Sequence, residues 1–380
     1  VSLLSDDELA SDYFKIYGRS LVKTIGGAIG PLFGMVFTEI GKSIKEEDAL
    51  TAENYVASLN SGMEKVMDFG GAKVNDKTMV DAMDVAVKYA KEALKNKCDL
   101  PEVALKAAEG AEIGMKNTIP MRSHRGRSKF LQEKSIGHQD AGATSYYYLL
   151  KRVSDYIQGD TKYTPYSSEE AEAIKEKNGS KVIINKFINN PDDLVNETVE
   201  GFVKAYGDSV KKLPNCNAIV RKNLSKDNVS VIIGNGSGHE PACIGFVGEN
   251  FLSANAYGGI FAAPDPYTIY ETIKATDTGK GVCVLISSHA GDKLNSKMAI
   301  DMAEDDGILA KGVVLYDDIA SAPKSEPISE RRGSIGTLFN YKMTSSYAEE
   351  GHTLGEVVKF AEKVRDNSRS IAAAMTPGTS

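Results

Sequence analysis

The feature that most constrains the fold is a change in hydrophobic period near the middle of the chain. In residues 1–155 apolar side chains recur every three or four positions, as in 79–94 and 104–115, which is the period of amphipathic helices. In the second half, short β-branched runs alternate with helical stretches, which is typical of an α/β domain with a parallel sheet. The runs are 229–233, 281–287 and 312–316. The pattern predicts a multidomain α and α/β protein, with an all-helical domain followed by an α/β domain whose sheet is mainly parallel.

A polar stretch separates the two patterns. Residues 158–181 are rich in charge, Ser and Gly and poor in large apolar side chains, as expected of a linker. A length of 380 residues is enough for two separate cores. We therefore expect domains at 1–157 and 182–380, joined by the linker 158–181.

Composition and charge exclude several classes of function. Lys and Arg number 45 against 52 Asp and Glu, a net charge of −7, so nucleic acid and anionic membranes are not expected partners. The longest apolar run, 25–37, has 13 residues including four glycines, whereas a membrane span needs about 20. The four cysteines are far apart and the first residues are acidic. These features predict a cytoplasmic protein without a zinc site or an export signal.

A glycine-rich turn after a buried strand is the strongest local signal. The run 231–241 (VIIGNGSGHEP) ends a hydrophobic strand and then presents Ser237, His239 and Glu240. Open α/β sheets bind ligands at this carboxyl edge, and glycine lets the backbone approach a small polar ligand. The alternative is a tight turn with a hydrogen-bonded histidine. The adjacent His and Glu favour a binding site.

A second strand end carries a carboxylate. Residues 285–292 (LISSHAGD) lead from a buried strand into a loop that ends at Asp292. Asp292 could accept a proton from a substrate hydroxyl held within about 3 Å, or it could cap a helix that begins near Lys293. Both assignments stay open for this residue alone. Because neighbouring parallel strands end at one edge, the two loops are expected to form one pocket.

Glycine-rich connections in the helical half have two interpretations. The run 26–34 (GGAIGPLFG) could begin a helix whose free N–H groups face a phosphate. Its small residues could equally allow a close helix–helix crossing. Carboxylates at 76–81 and 138–145 fit helix caps as well as they fit a binding site.

Two charged groups lie in connecting segments. Arg122, Arg125 and Arg127 form a basic cluster that suits a solvated turn or an anionic ligand. Asp317 and Asp318 directly follow the strand GVVLY. We expect this pair to form a turn.

Taken together, these motifs resemble the dihydroxyacetone kinase family over nearly the whole chain. Residues 1–155 are similar to its helical nucleotide-binding domain, and residues 182–380 are similar to the first part of its α/β substrate domain. The segments that carry the resemblance are GGAIGPLFG, GGAKVNDKTMVDAM, GRSKFLQEKSIGHQDAGATS, KFINNPDDLVNETVEGF, NGSGHEPACIGFVG, GGIFAAPDPYTIYE, AGDKLN and RRGSIGTL. Several long matches in the correct order make the resemblance specific.

The resemblance implies phosphorylation of dihydroxyacetone, or a related short ketose, by ATP with Mg²⁺. It implies that Gly236, Ser237 and His239 contact the ketose and that Asp292 assists removal of a proton from the attacking hydroxyl, so that His239 and Asp292 are the catalytic residues. The implied nucleotide-binding residues are Ala28, Ile29, Gly70, Met79, Arg127, Asp140 and Gly142. The family also implies a homo-oligomer, specifically a dimer formed through the substrate domains.

The chain departs from the family pattern at both ends. The cluster of aspartates that binds the metal should precede Ser5 and is absent, so no metal ligand is assigned. The helical part also comes first, which reverses the order of the single-chain kinases. The sequence is therefore expected to be the interior of a longer fusion.

Internal positions differ as well. The family often has Ser at Ile29, Pro at Ala141 and Lys at Ser287, and His289 is the nearest candidate to replace that lysine. The covalent histidine of the family, which forms a hemiaminal with the ketose, aligns with Arg369. A guanidinium stays protonated and cannot attack a carbonyl.

Three hypotheses remain open from the sequence. The first is a ketose kinase seen as an incomplete chain. The second is a non-catalytic ketose-binding or regulatory relative, motivated by the internal departures. The third is a lyase that cyclises a flavin dinucleotide, which nothing in the sequence separates from the kinase. The polar linker would allow the helical domain to cap the α/β domain of its own chain or of a neighbour.

Overall fold

The protein was analysed as a computed structural model, which describes residues 9–44, 50–162, 188–322 and 324–372. Its first part is helical. The helices are α1 (Ala10–Thr24), α2 (Ile29–Ile44), α3 (Ala52–Gly70), α4 (Met79–Lys95), α5 (Leu100–Asn117) and α6 (Ala141–Ile157), with a 3₁₀ segment at Arg127–Ser135. The helix predicted at 79–94 is therefore α4, and the one predicted at 104–115 lies within α5. Both are amphipathic, and α4 lies at the centre of the helical core, with Val80, Met83 and Ala86 fully buried.

Glycines allow α1 and α2 to cross closely. A Cβ atom on Gly34 would lie 2.5 Å from Val22 Cγ2 and 2.7 Å from the Gly18 carbonyl oxygen, and one on Gly18 would lie 2.5 Å from the Gly34 carbonyl oxygen. These distances leave no room for a side chain on either helix. For Gly34, the close-crossing interpretation of the run 26–34 is confirmed.

Substituting Gly34 with alanine is expected to lower the free energy of unfolding. The added methyl group would push α1 and α2 apart, at a cost of about 1–3 kcal/mol, which exceeds the gain of up to about 1 kcal/mol from the better helix propensity of alanine. Urea denaturation followed by circular dichroism measures the difference. Gly62→Ala on α3 is the matched control, because its Cβ would meet Val36 at an ordinary 3.7 Å. Equal effects of the two substitutions would contradict the prediction.

The second part of the chain is an α/β domain. Its strands are β1 (Val210–Lys212), β2 (Ala218–Arg221), β3 (Ser230–Ser237), β4 (Ala254–Ile260), β5 (Val282–Ser287) and β6 (Ala310–Leu315). Its helices are α7 (Leu194–Tyr206), α8 (Pro266–Thr276), α9 (Ala290–Asp305), α10 (Thr337–Glu349) and α11 (Leu354–Asn367). The order of strands in the sheet is β1-β2-β4-β3-β5-β6, with β4, β3, β5 and β6 parallel and β1 and β2 antiparallel at one edge.

Helices cover both faces of the sheet. Side chains at alternate positions of a strand point to opposite faces, and on β3 Val231 and Ile233 face the layer that contains α7, α10 and α11, whereas Ile232 faces α8 and α9. Near-continuous apolar strands are expected when both faces are buried. The predicted fold class is confirmed, and the predicted runs at 229–233, 281–287 and 312–316 correspond to β3, β5 and β6.

Two further observations concern the sequence predictions. Only 158–162 of the proposed linker 158–181 falls within the described residues, so the domain limits stay predictions. Within the described part of the chain, no helix has both the length and the apolar character required to cross a bilayer.

Candidate functional site

The turn after β3 forms one side of the candidate ketose site. A Cβ atom on Gly236 would lie 2.8 Å from both the amide nitrogen and the carbonyl oxygen of Ala262, so only glycine fits there. Gly238 has a φ of 100°, in the left-handed region that favours glycine. Its amide donates a hydrogen bond of 3.0 Å to Glu240, whose carboxylate also accepts one from the Tyr257 hydroxyl. Glu240 therefore fixes the turn, which brings His239 to the edge of the sheet.

Asp292 lies in the first turn of α9, beyond the neighbouring strand β5. The helix begins at Ala290 and its N-cap position is His289, so Asp292 is inside the helix and does not occupy the cap position that a helix beginning near Lys293 would give it. The side chain is buried, and it accepts no hydrogen bond from any other described residue. Burial in these surroundings raises the pKa of Asp292 to about 7.

His289 lies near both candidate catalytic residues, His239 and Asp292. Its Nδ1 is 3.9 Å from Asp292 Oδ2. Burial lowers the pKa of His289 to about 4, with further contributions from the positive charges of Arg332 and Lys293 and from His239. The imidazole is therefore uncharged at neutral pH. A neutral His289 does not supply the positive charge of the family lysine.

The same edge of the sheet contains buried polar atoms without a partner. Ser237 Oγ and Asn235 Oδ1 form no hydrogen bond with any residue that the structure describes. Leaving such an atom unpaired costs about 1–3 kcal/mol. A small polyhydroxy ligand would supply the missing donors and acceptors.

Ser287 and Arg369 stand at the positions aligned with the family's lysine and covalent histidine. Ser287 ends β5 beside the buried hydroxyl of Tyr341. Arg369 follows α11 and donates a hydrogen bond of 2.6 Å to the Ser368 carbonyl oxygen. Within the described ranges, no hydrogen bond or ion pair joins Arg369 to His239 or Asp292. The proposed equivalence of Arg369 with the covalent histidine stays a prediction.

Three of the candidate nucleotide residues meet where α4 and α6 begin. A Cβ atom on Gly142 would lie 3.1 Å from Asp140 Oδ2 and 3.5 Å from the Met79 amide nitrogen. Asp140 caps α6 by accepting a hydrogen bond of 2.7 Å from the Ala143 amide. Burial raises the pKa of Asp140, against the opposing effect of these backbone hydrogen bonds. Capping thus explains Asp140, and the close approach of the two helix ends leaves backbone N–H groups near one another.

The remaining nucleotide candidates lie near the start of α2. Ile29 is the first residue of α2 and is 52% exposed, next to Ala28. Gly70 ends α3, and a Cβ atom there would lie 3.5 Å from Leu32 of α2. Arg127 begins the 3₁₀ segment, and its side chain lies outside the described part of the structure.

The helical part and the α/β domain touch at this start of α2. The Gly27 amide donates a hydrogen bond of 2.9 Å to the Ala263 carbonyl oxygen. Asn295 Nδ2 on α9 donates one of 3.0 Å to the Gly27 carbonyl oxygen. Asn295 is three residues beyond Asp292 on the same helix. Asn295 belongs to the motif AGDKLN, but its role could not be predicted, because a contact across 268 residues leaves no local signal.

Among the described residues, no group of three or more His, Cys, Asp or Glu side chains could hold a metal ion. No ligand of the Mg²⁺ that the family resemblance implies is therefore assigned among the described residues.

Comparison with known proteins agrees with this division into a helical and an α/β part. The DAK2 domain model matches residues 3–155 and the Dak1 domain model matches residues 200–380. The chain is 40% identical over 194 residues to the dihydroxyacetone-binding subunit of a PTS-dependent dihydroxyacetone kinase from Lactococcus lactis, covering 51% of this chain and 58% of that protein. It is 35% identical to an L-erythrulose kinase from Pectobacterium atrosepticum, covering 50% of this chain and 32% of that one.

A solved structure is also similar. The dihydroxyacetone kinase of Citrobacter freundii aligns with 48% of this chain and 34% of its own, at 31% identity and a TM-score of 0.46. The fold and the two domain matches define a two-part protein with a helical and an α/β component. The chain belongs to the dihydroxyacetone kinase family. It spans only about a third to three fifths of the length of the relatives described above.

Proposed function

We propose that this chain supplies the ketose site and the nucleotide site of an ATP-dependent kinase for dihydroxyacetone or a related short ketose. The observation that carries the proposal is the contact of Gly27 with Asn295 and Ala263. Through it, the helix start that holds two nucleotide candidates, Ala28 and Ile29, adjoins the helix turn that holds Asp292. Phosphoryl transfer depends mainly on positioning two substrates against each other. The contact supports that arrangement.

The proposed reaction needs one base and one orienting group from the ketose site. A ketose hydroxyl oxygen forms a bond to the γ-phosphorus of ATP while the bond to the β,γ-bridging oxygen breaks, which releases ADP. Asp292 takes the hydroxyl proton, and its raised pKa of about 7 suits a base that works near neutral pH. His239 orients the ketose by a hydrogen bond. No step is assigned to Mg²⁺, because no ligand for it is assigned among the described residues.

Three properties of the whole protein are also proposals, because the chain covers only part of each relative. We propose that the protein is a dimer, that it is cytoplasmic and that it acts in glycerol metabolism. ATP as the phosphoryl donor rests on the match of residues 3–155 to the DAK2 domain model and on the family resemblance.

A second candidate is a ketose-binding relative without turnover. Ser287, which stands where the family often has lysine, lies beside the Tyr341 hydroxyl and brings no positive charge to the site. His289, being uncharged, does not replace that charge. Ketose binding without ATP hydrolysis or ketose phosphorylation would support this candidate.

Replacing His239 with alanine is expected to weaken binding of dihydroxyacetone about tenfold. The reason is the loss of one hydrogen bond to a polar ligand, worth about 1.4 kcal/mol. Isothermal titration calorimetry on the full chain measures the change. His352→Ala is the control, since His352 stacks on Tyr347 in the connection between α10 and α11. Unchanged binding by the His239 variant, or no binding by the unsubstituted chain, would overturn the proposed ketose site.

A further inference from the structure

The contact between the two parts of the chain is made by closely packed backbone. We call it the interdomain joint and define it by Gly26, Gly27, Ala263, Gly291 and Asn295. A Cβ atom on Gly26 would lie 2.5 Å from the Ala263 carbonyl oxygen, and one on Gly291 would lie 3.3 Å from Gly27 Cα. Glycine is therefore needed on both sides of the interdomain joint. Because the sequence has glycine at both positions, the two backbones can approach each other this closely.

Asn295 connects three segments within the interdomain joint. Its side chain is fully buried, and Nδ2 donates hydrogen bonds to the Gly27 carbonyl oxygen at 3.0 Å and to the Pro264 carbonyl oxygen at 2.7 Å. One amide group on α9 thus holds both the start of α2 and the loop before α8 in place. A buried amide with two such bonds holds its partners in a defined geometry.

Two contacts of charged side chains also join the helical part and the α/β domain. Lys129 of the helical part forms an ion pair of 2.6 Å with Glu330 of the α/β domain. Lys297 on α9 lies 4.7 Å from the centre of the Phe69 ring on α3. These contacts come from the same chain, so the helical part packs on its own α/β domain.

We propose that Asn295 is a positioning residue that holds the Gly27–Ile29 turn of the helical part at the Asp292 turn of the same chain. Docking within one chain then sets the distance between the nucleotide and the base. The catalytic part of this inference rests on the proposed function. The docking itself depends only on the contacts above. No other copy of the chain is needed to bring the two sites together.

The docking is tested without any ligand by Gly26→Ala. The added methyl group would meet the Ala263 carbonyl oxygen and break the hydrogen bond of the Gly27 amide. We expect amide exchange in peptides that span Gly27 to become at least about tenfold faster, with unchanged protection of α4 and α5. Hydrogen exchange with mass spectrometry on the full chain measures both. Gly62→Ala is the control in the same helical part.

A second variant, Asn295→Asp, tests the docking without changing a glycine. Asn295→Asp preserves the shape of the side chain but replaces the donor with an oxygen that faces two carbonyl oxygens. It is expected to speed exchange at Gly27 in the same way and to increase the radius of gyration in small-angle scattering. The proposed docking would be overturned if the Gly27 amide is already unprotected from exchange in the unsubstituted chain. It would also be overturned if neither variant changes the exchange rate of this amide.

The positioning role has its own measurement. In a steady-state assay with ATP, Mg²⁺ and dihydroxyacetone, Gly26→Ala and Asn295→Asp are expected to lower kcat about 100-fold, because a displacement of about 1 Å between reacting groups has that effect. The dissociation constant for dihydroxyacetone is expected to change less than about twofold, since the proposed ketose contacts, Gly236, Ser237, His239 and Asp292, all belong to the α/β domain. Unchanged kcat in variants that have lost docking would overturn the role. An unsubstituted protein that binds no ketose would refute the proposed function and leave the exchange result intact.

Discussion

Replacing Asp292 with asparagine is expected to remove turnover and to stabilise the fold at the same time. The amide cannot accept the ketose proton, so kcat should fall by about 10²–10⁴-fold. The amide also avoids placing a charge in a buried site where no other described residue donates a hydrogen bond to it. A steady-state kinase assay and urea denaturation at pH 8 measure the two effects on the same preparation.

The sign of the stability effect follows from the pKa of Asp292. It is about 7 in the folded protein against an ordinary value of 3.8, so between about pH 4 and pH 7 the unfolded chain loses its proton first. The free energy of unfolding of the unsubstituted protein therefore decreases across this range and levels off above it. The variant lacks this loss. At pH 8 it should be more stable by a few kcal/mol, with an upper limit of about 4 kcal/mol, whereas below pH 4 the two proteins should be nearly equal.

The same pKa predicts the pH dependence of the reaction. Asp292 must be deprotonated to act as the base, so kcat/KM should rise with pH and level off above about 7. Asp301→Asn is the matched control, because Asp301 lies on the same helix and is exposed to solvent. A stable Asp292 variant with normal turnover would contradict the assignment of the base. A variant less stable than the Asp301 control at pH 8 would contradict the burial argument.

The helices and central strands could be predicted because local patterns determine them. The α4 helix has one apolar face, and β3 and β5 are short apolar runs that end in glycine or serine. The antiparallel edge could not be predicted in the same way. Strand β1 contains only Val210–Lys212, two of whose three residues are lysines, and it is held in the sheet by pairing with β2.

The candidate site was only partly visible in the sequence. His239 and Asp292 were found because each follows a buried strand, and parallel strands share their carboxyl edge. The neutrality of His289 was not predictable, since it depends on burial and on Arg332 from a distant loop. Asn295 was missed for a similar reason, because its partners Gly27 and Pro264 are brought to it by tertiary packing.

The turn predicted at Asp317 and Asp318 has a larger structural role than the sequence suggested. Both carboxylates are buried at the end of β6. Asp317 accepts hydrogen bonds of 2.8 Å from the amides of Ser334 and Gly336, and another from the Ser370 hydroxyl. One side chain therefore fixes the loop before α10 and the segment after α11.

Removing this carboxylate is expected to destabilise the α/β domain strongly. Asp317→Ala would leave two backbone amides and one hydroxyl without an acceptor, and each unpaired buried group costs about 1–3 kcal/mol. We expect the free energy of unfolding to fall by about 3–5 kcal/mol. Urea denaturation of the full chain measures it. Asp317→Asn, which keeps one acceptor oxygen, should lose clearly less.

The control for this prediction is Asp366→Ala near the end of α11. Asp366 is exposed and pairs with Arg365 on the surface, where such an ion pair contributes about 1 kcal/mol or less. A loss at Asp317 no larger than the loss at Asp366 would contradict the prediction. The loop that Asp317 fixes also contains Arg332, whose charge helps to keep His289 neutral beside Asp292. The Asp317→Asn protein should therefore bind dihydroxyacetone more weakly as well as lose stability, because the same loop contributes to the electrostatics of the candidate site.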